Sequence, residues 1–231
     1  MNGGAGVELR DVGVELEGAT VLSGVSVRLD APRIAVIGEN GSGKSTFARL
    51  LAGLVPAARG RVRVLGLDPQ RDGRRLRCLT GFVFGNPDAQ IVMPTVAEDL
   101  AFSLRGTRHS RAERERLVRE ALAEAGLEGM GHRPVYTLSG GQKQMLALAA
   151  ATIRRPRLLV ADEPTAALDA RNARAVAARL LDGPPERRLV LVTHDLALAA
   201  RCDEAIRFAS GRLVDHGPPE DVAAGYERSL R

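Results

Sequence analysis

The chain has no tryptophan and only seven other aromatic side chains, five Phe and two Tyr, in 231 residues. Proteins that hold single-stranded nucleic acid stack bases on aromatic platforms, and this composition offers none. A net charge of +5 does not reverse that exclusion, because the arginines are scattered rather than gathered into one basic run. No nucleic-acid partner is expected. Cysteine is equally scarce. Cys78 and Cys202 stand alone without metal-type spacing, which predicts two reduced thiols. No apolar run approaches the roughly 20 residues that span a bilayer, and no signal-peptide pattern opens the chain. The expectation is a cytosolic protein without a transmembrane segment, whose membrane role, if it has one, is peripheral or through a partner. No internal repeat, coiled coil or low-complexity segment is visible.

Lysine is the scarcest charge. Lys44 and Lys143 are the only lysines among 33 basic side chains, so arginine serves wherever a positive charge suffices. Lys44 lies in Gly38-Glu39-Asn40-Gly41-Ser42-Gly43-Lys44-Ser45-Thr46, between an apolar run (Ile34 to Ile37) and a helical pattern. The spacing G-x-x-x-x-G-K-[ST] in that setting is the phosphate-binding loop. Its glycines let backbone N–H groups turn inward around phosphate oxygens, and the following helix offers its positive end. Lys44 suits the terminal phosphates, and the Ser45 hydroxyl suits Mg²⁺. A plain glycine turn is the alternative; a slim ammonium at this one position argues against it.

Around the loop the chain alternates strand and helix. Residues 7 to 29 alternate as an antiparallel pair with Glu17-Gly18 at the turn, and 61–65 and 81–84 read as strands. Residues 157–161 and 189–193 are buried strands flanking a helix over 170–181, and 204–209 and 213–216 close the chain as strands. Fully apolar strands alternating with helices imply a mainly parallel sheet covered on both faces. Between 86 and 138 the pattern becomes helical, with capping boxes at Thr95/Glu98 and Ser110/Glu113.

Two further constellations carry chemistry. Leu158 to Ala161 run into Asp162 and Glu163, where a parallel strand meets its ligand crevice. Asp162 can hold Mg²⁺, directly or through water, and Glu163 can polarise an attacking water. A helix-capping pair ahead of Pro164 is the competing reading. Leu138-Ser139-Gly140-Gly141-Gln142 opens another helix, with Ser139 and Gln142 as a capping box and two glycines as a second anion site. His194, after a buried strand, could by itself equally be a helix cap or a packed histidine.

The phosphate loop, LSGGQ, the apolar strand ending in Asp-Glu, Ala167-Leu168-Asp169 and Thr193-His194-Asp195 occur in the order of an ATP-binding cassette (ABC) ATPase, which nearly the whole chain resembles. The resemblance implies an α/β P-loop NTPase core, its mainly parallel sheet joined by an N-terminal antiparallel β part (1–85 and 155–231). A helical subdomain is inserted over 86–154, within one domain spanning 1–231. It implies ATP and Mg²⁺ as ligands and a head-to-tail dimer with a second copy or a homologous ATPase. Gly38–Thr46 of one subunit and Ser139, Gly140, Gly141 and Gln142 of the other would hold each nucleotide. Glu163 would be the catalytic base, His194 the sensor of the γ-phosphate, and Asp169 the link between sites.

A narrower match lies in residues 81–90 and 93–100. They resemble the FQNPD-x-Q and TVxEDxAF segments of energy-coupling-factor (ECF) importer ATPases, and the phrasing is most similar to the biotin-transport ATP-binding subunit. That implies a transmembrane coupling subunit and a substrate-binding membrane subunit as partners. Biotin is the first expectation for cargo, with another vitamin, cobalt or nickel as alternatives. Three positions depart from the family pattern. Gly85 stands at the Q-loop glutamine, Leu16 where an aromatic commonly stacks on adenine, and Met145 where arginine is commoner. Gly85 raises the alternative of a nucleotide-gated clamp with little hydrolysis.

Overall fold

The computed structural model describes residues 6–230; residues 1–5 and 231 of the expected domain lie outside them. The elements follow the order β1 (Val7–Leu16), β2 (Ala19–Leu29), β3 (Arg33–Gly38), α1 (Lys44–Leu51), β4 (Arg59–Val64), α2 (Gly73–Leu79) and β5 (Thr80–Phe84). Three helices come next: α3 (Val96–Ser103), α4 (Arg111–Glu124) and α5 (Gly140–Thr152). The chain then runs through β6 (Leu158–Asp162), α6 (Ala170–Leu181), β7 (Arg188–Val192), α7 (Leu196–Ala199), β8 (Glu204–Ala209), β9 (Arg212–Gly217) and α8 (Pro219–Ser229).

Two sheets result. β2, β1 and β4 form an antiparallel sheet, and the larger sheet has the order β5-β6-β7-β3-β8-β9. Its strands are parallel apart from the β8–β9 pair. The β3, β6 and β7 strands are short apolar runs buried on both faces, as expected of a parallel sheet with covered faces. Register then fixes the site. Phe84, Asp162 and Val192 sit side by side at the carboxyl ends of β5, β6 and β7, and Val36 pairs with Val192 two residues before Gly38. A crevice at these strand ends is where open α/β sheets bind ligands.

One core cluster joins the antiparallel sheet, α1 (Phe47, Leu50, Leu51) and one face of the parallel sheet. A second fills the opposite face with Val176 and Leu180 of α6 and Val222 of α8. A third belongs to α3, α4 and α5, built on Leu100, Leu117, Leu122 and Leu146. Helix α5 serves the last two, since its Leu148 joins the second cluster and its Leu146 the third.

The capping boxes at Ser110 and Ser139 form as expected. The one expected at Thr95 does not: the Thr95 hydroxyl donates to the Glu98 carboxylate at 2.6 Å, and its side chain accepts no helix N–H. Both cysteines are free, Cys78 exposed and Cys202 buried. Burial pushes the Cys202 thiol up to about 12, so it stays protonated and inert.

Candidate functional site: the nucleotide crevice

The buried strand β3 delivers the chain to Gly38, and the loop over 39–43 returns it into α1. Gly43 has φ 104°, and a Cβ there would meet Leu22 at 2.6 Å, so only glycine turns the chain this close to β2. Glu39, Asn40 and Gly41 are exposed, whereas Ser42, Lys44 and Thr46 are buried. The Lys44 ammonium donates to the carbonyls of Gly38 and Glu39, each at 2.8 Å. Two of its three donors are spent on the loop and one is left for an anion. Burial holds its pKa below the ordinary lysine value, opposed by Glu163, Asp162 and Glu39. The Ser42 hydroxyl is buried with no partner in the protein. An orphaned polar atom inside a loop of inward-turned backbone fits a ligand oxygen.

Beside the loop, the Ser45 hydroxyl donates to Asp162 at 2.8 Å. These residues are 117 positions apart and meet because β3 and β6 end on the same edge of the sheet. Burial raises the Asp162 carboxyl above the usual range, against the opposing Ser45 hydrogen bond, Arg49 and Lys44. Among the described residues no three His, Cys, Asp or Glu side chains cluster as a metal cage. One hydroxyl and one carboxylate are the donor set of a Mg²⁺ that takes its other ligands from phosphates and water.

Glu163 has φ 52°, a left-handed conformation that non-glycine residues adopt only when their surroundings hold them. Its N–H donates to the Val192 carbonyl at 3.0 Å, and its carboxylate lies 2.8 Å from His194 Nδ1. An ionised carboxylate only accepts, so Nδ1 carries the proton in this contact. The helix-cap reading of His194 fails, because Asp195 caps α7 by accepting from the Leu198 N–H. The capping reading of Asp162 and Glu163 fails too: Asp162 ends β6, and the next helix is capped by Asp169.

Ser139, Gly140, Gly141, Gln142 and Asp169 form a second group. Ser139 Oγ accepts from Gln142 N–H, and Gln142 Oε1 accepts from Ser139 N–H. A Cβ on Gly141 would meet the Asn172 side chain at 2.3 Å, so α5 and α6 touch there. Asn172 Nδ2 donates to Asp169 Oδ2 at 2.7 Å, and the Asn172 and Arg171 N–H groups donate to Oδ1. The Asn172 N–H bond first, then its side chain, hold the Asp169 carboxyl below the usual range. Asn172 is absent from the sequence reading. Its signal is faint, an Asn three residues after a capping Asp, where Asn is a poor helix former. Among the described residues no hydrogen bond or ion pair joins this group to the phosphate loop.

The departures also find their places. Gly85 lies against the ends of β6, where a Cβ would meet the Glu163 carbonyl at 2.9 Å and the Asp162 carbonyl at 3.1 Å. Gln90 is held within its own neighbourhood: Oε1 accepts from Phe84 N–H and Nε2 donates to the Ala147 carbonyl. Leu16 is half-buried and packs on the first core cluster.

With this geometry in hand, the comparisons are decisive for the family. A family model described as "ABC transporter" matches residues 22–166. The chain belongs to the ABC transporter family. This ABC ATPase is 39% identical to the biotin transport ATP-binding protein BioM of Rhizobium etli, over 95% of its own length and 97% of the relative's. It is 38% identical to the energy-coupling factor transporter ATP-binding protein EcfA1 of Geobacillus kaustophilus, covering 82% and 69%. Relatives at 41%, 42% and 43% identity carry no substrate in their names. Among solved structures it resembles cbiO1 of Clostridium perfringens, part of the ABC transporter complex cbiONQ. The TM-score is 0.84 at 27% identity, over 97% and 93% of the two chains. The ABC ATPase fold expected from the sequence is therefore found. No described helix is long and apolar enough to cross a membrane.

Proposed function

We propose that this chain binds and hydrolyses ATP as the ATPase subunit of an ECF-type importer, with biotin as the cargo. The observation that carries the reading is the row of three paired groups at the strand ends: Lys44 inside its loop, Ser45 on Asp162, and Glu163 on His194. Gly38, Glu39, Asn40, Gly41, Ser42, Gly43 and Thr46 wrap the triphosphate with backbone N–H groups, and Lys44 presents its free donor to the terminal phosphates. Ser45 and Asp162 hold Mg²⁺, which neutralises phosphate charge when bound. Glu163 accepts the proton of the attacking water, and His194 holds that carboxylate in position. Ser139, Gly140, Gly141 and Gln142 of a second copy close over the γ-phosphate with the positive end of α5. Asp169 ties that motif, through Asn172, to its own helix α6.

The membrane partners dock on the groove beside residues 85–100, where Val92 is an exposed large apolar side chain and Phe102 follows just beyond. The subunit would sit on the cytoplasmic face of the membrane. Biotin is supported by the Rhizobium etli relative and by the phrasing of residues 81–100. Glu163→Gln should lower Mg-ATP turnover at least about a hundredfold, the usual worth of a positioned base, while leaving ATP binding intact. Turnover unchanged by that substitution would remove Glu163 from the catalytic role. Gly85 favours a second reading, a nucleotide-gated clamp, and the same assay separates the two: a clamp already turns over no faster than its Glu163→Gln form. Purification from membranes tests the cargo. A biotin-binding membrane protein is the expected companion, and a cobalt or nickel binder would overturn the cargo while sparing the ATPase.

A further inference from the structure

Leu16 stands where the family resemblance places an adenine-stacking aromatic, so each of the seven aromatic side chains is a candidate for that task. Phe47 and Phe208 are fully buried and pack on each other with centroids 5.1 Å apart. Phe82 and Phe84 are half-buried and pair at 4.5 Å. Phe102, 40% exposed, already stacks with the Arg105 guanidinium, 4.9 Å from its ring centroid. Tyr226 packs on the second core cluster. Tyr136 alone remains, with 80% of its surface exposed and no hydrogen-bond or aromatic partner among the described residues.

Its position is not that of a loose surface residue. Tyr136 lies in a 3₁₀ turn, Val135–Thr137, three residues before Ser139. The turn is braced by Val135 N–H to the Pro94 carbonyl, Leu138 N–H to the Val135 carbonyl and Thr137 Oγ1 to the Pro134 carbonyl. Buried Leu138 anchors it from the other side. The backbone that carries this exposed ring is thus braced at most about 10 Å along the chain from the Ser139 cap. That span is of the order of the distance between a nucleotide's terminal phosphate and its base. An amphipathic ring with only two χ angles costs little entropy to stack.

We propose that Tyr136 of one copy stacks on the base of the nucleotide held by the Gly38–Thr46 loop of a second copy. It does so in place of the aromatic that Leu16 does not supply. The proposal rests on the head-to-tail reading given above. It makes the two copies share recognition of the base as well as of the phosphates, so base affinity and dimer formation rise together.

The test uses the full chain carrying Glu163→Gln, so that hydrolysis does not reopen a closed dimer, with Mg-ATP-driven dimerisation followed by sedimentation. Tyr136→Ala should raise the Mg-ATP concentration for half-dimerisation about tenfold, the size of one base stack on an aromatic. Tyr136→Phe should restore it. Mg-UTP, with a smaller ring system, should lose less than Mg-ATP from the Ala substitution. An unchanged thermal melt of Tyr136→Ala keeps the readout specific, since the side chain supports no core cluster. If the Ala variant dimerises at the same Mg-ATP concentration as its parent, Tyr136 makes no stack and the head-to-tail reading survives. If the parent never dimerises with Mg-ATP, the head-to-tail reading falls and the proposal falls with it.

Discussion

At the scale of single residues, the site turns on how close backbone comes to backbone. Gly85 stands where the family places a glutamine, and the naive expectation is that restoring the side chain improves hydrolysis. The packing argues the opposite. A Cβ at 85 would press on the Glu163 carbonyl at 2.9 Å, and the backbone that aims the proposed base, Glu163, is already left-handed at φ 52°. Backbone cannot step aside as a flexible side chain does. Gly85→Gln should therefore lower the melting temperature and lower Mg-ATP turnover; a faster enzyme would show that the Asp162–Glu163 backbone yields. The placement of the candidate groups was legible in the sequence wherever they lay in a contiguous motif, as at Lys44, Ser45, Asp162 and Ser139. The Asp169–Asn172–Gly141 contact was not, because it depends on α5 and α6 touching 31 positions apart, counting from Gly141 to Asn172.

Among the elements, those with strong periodicity or apolar runs were readable almost to the residue. The α6 helix and β8 fall where the pattern places them, because α6 presents Val176, Ala177, Leu180 and Leu181 as one stripe. Helices α2 and α8 escaped for a shared reason: each buries a single residue, Leu76 and Val222, so neither carries a stripe to detect. The segment over 85–95 is irregular, and its shape comes from side chains on other elements. Gln90 spans from the Phe84 N–H of β5 to the Ala147 carbonyl of α5, and Gln144 of α5 donates to the Phe84 carbonyl. Both ends of the Gln90 amide are committed, so it is a brace for the loop rather than a substitute for the missing glutamine at 85. Gln90→Ala should cost about 1–2 kcal/mol in urea unfolding, chiefly by leaving the part-buried Phe84 N–H unpaired, with turnover per folded chain unchanged. A loss of turnover without a loss of stability would place Gln90 in the catalytic site instead.

For the whole molecule, no hydrogen bond or ion pair joins the Gly38–Thr46 loop to the Ser139–Gln142 motif among the described residues, and complementation can decide whether the two meet between copies. Gly140 is the useful handle. A Cβ there touches nothing within 4 Å in its own protomer, so Gly140→Asp should fold normally and still set a carboxylate against phosphate where a second copy closes. Lys44→Ala leaves the motif at Ser139–Gly141 intact but empties the loop of its charge. Each variant alone should be inactive in Mg-ATP turnover. Mixed one to one, half of the dimers pair one of each. In such a dimer the intact loop of the Gly140→Asp copy faces the intact motif of the Lys44→Ala copy. One site in two is then whole, so activity should return to about a quarter of the parental value if sites work independently. Recovery near zero would mean either that each chain completes its own site or that a site fires only beside a second whole one; a tagged-subunit pull-down with Mg-ATP separates the two, and absence of a mixed dimer would end the shared-nucleotide architecture. Recovery well below a quarter, but above either variant alone, would mean that a dead site slows its whole neighbour, a partial coupling between the two sites.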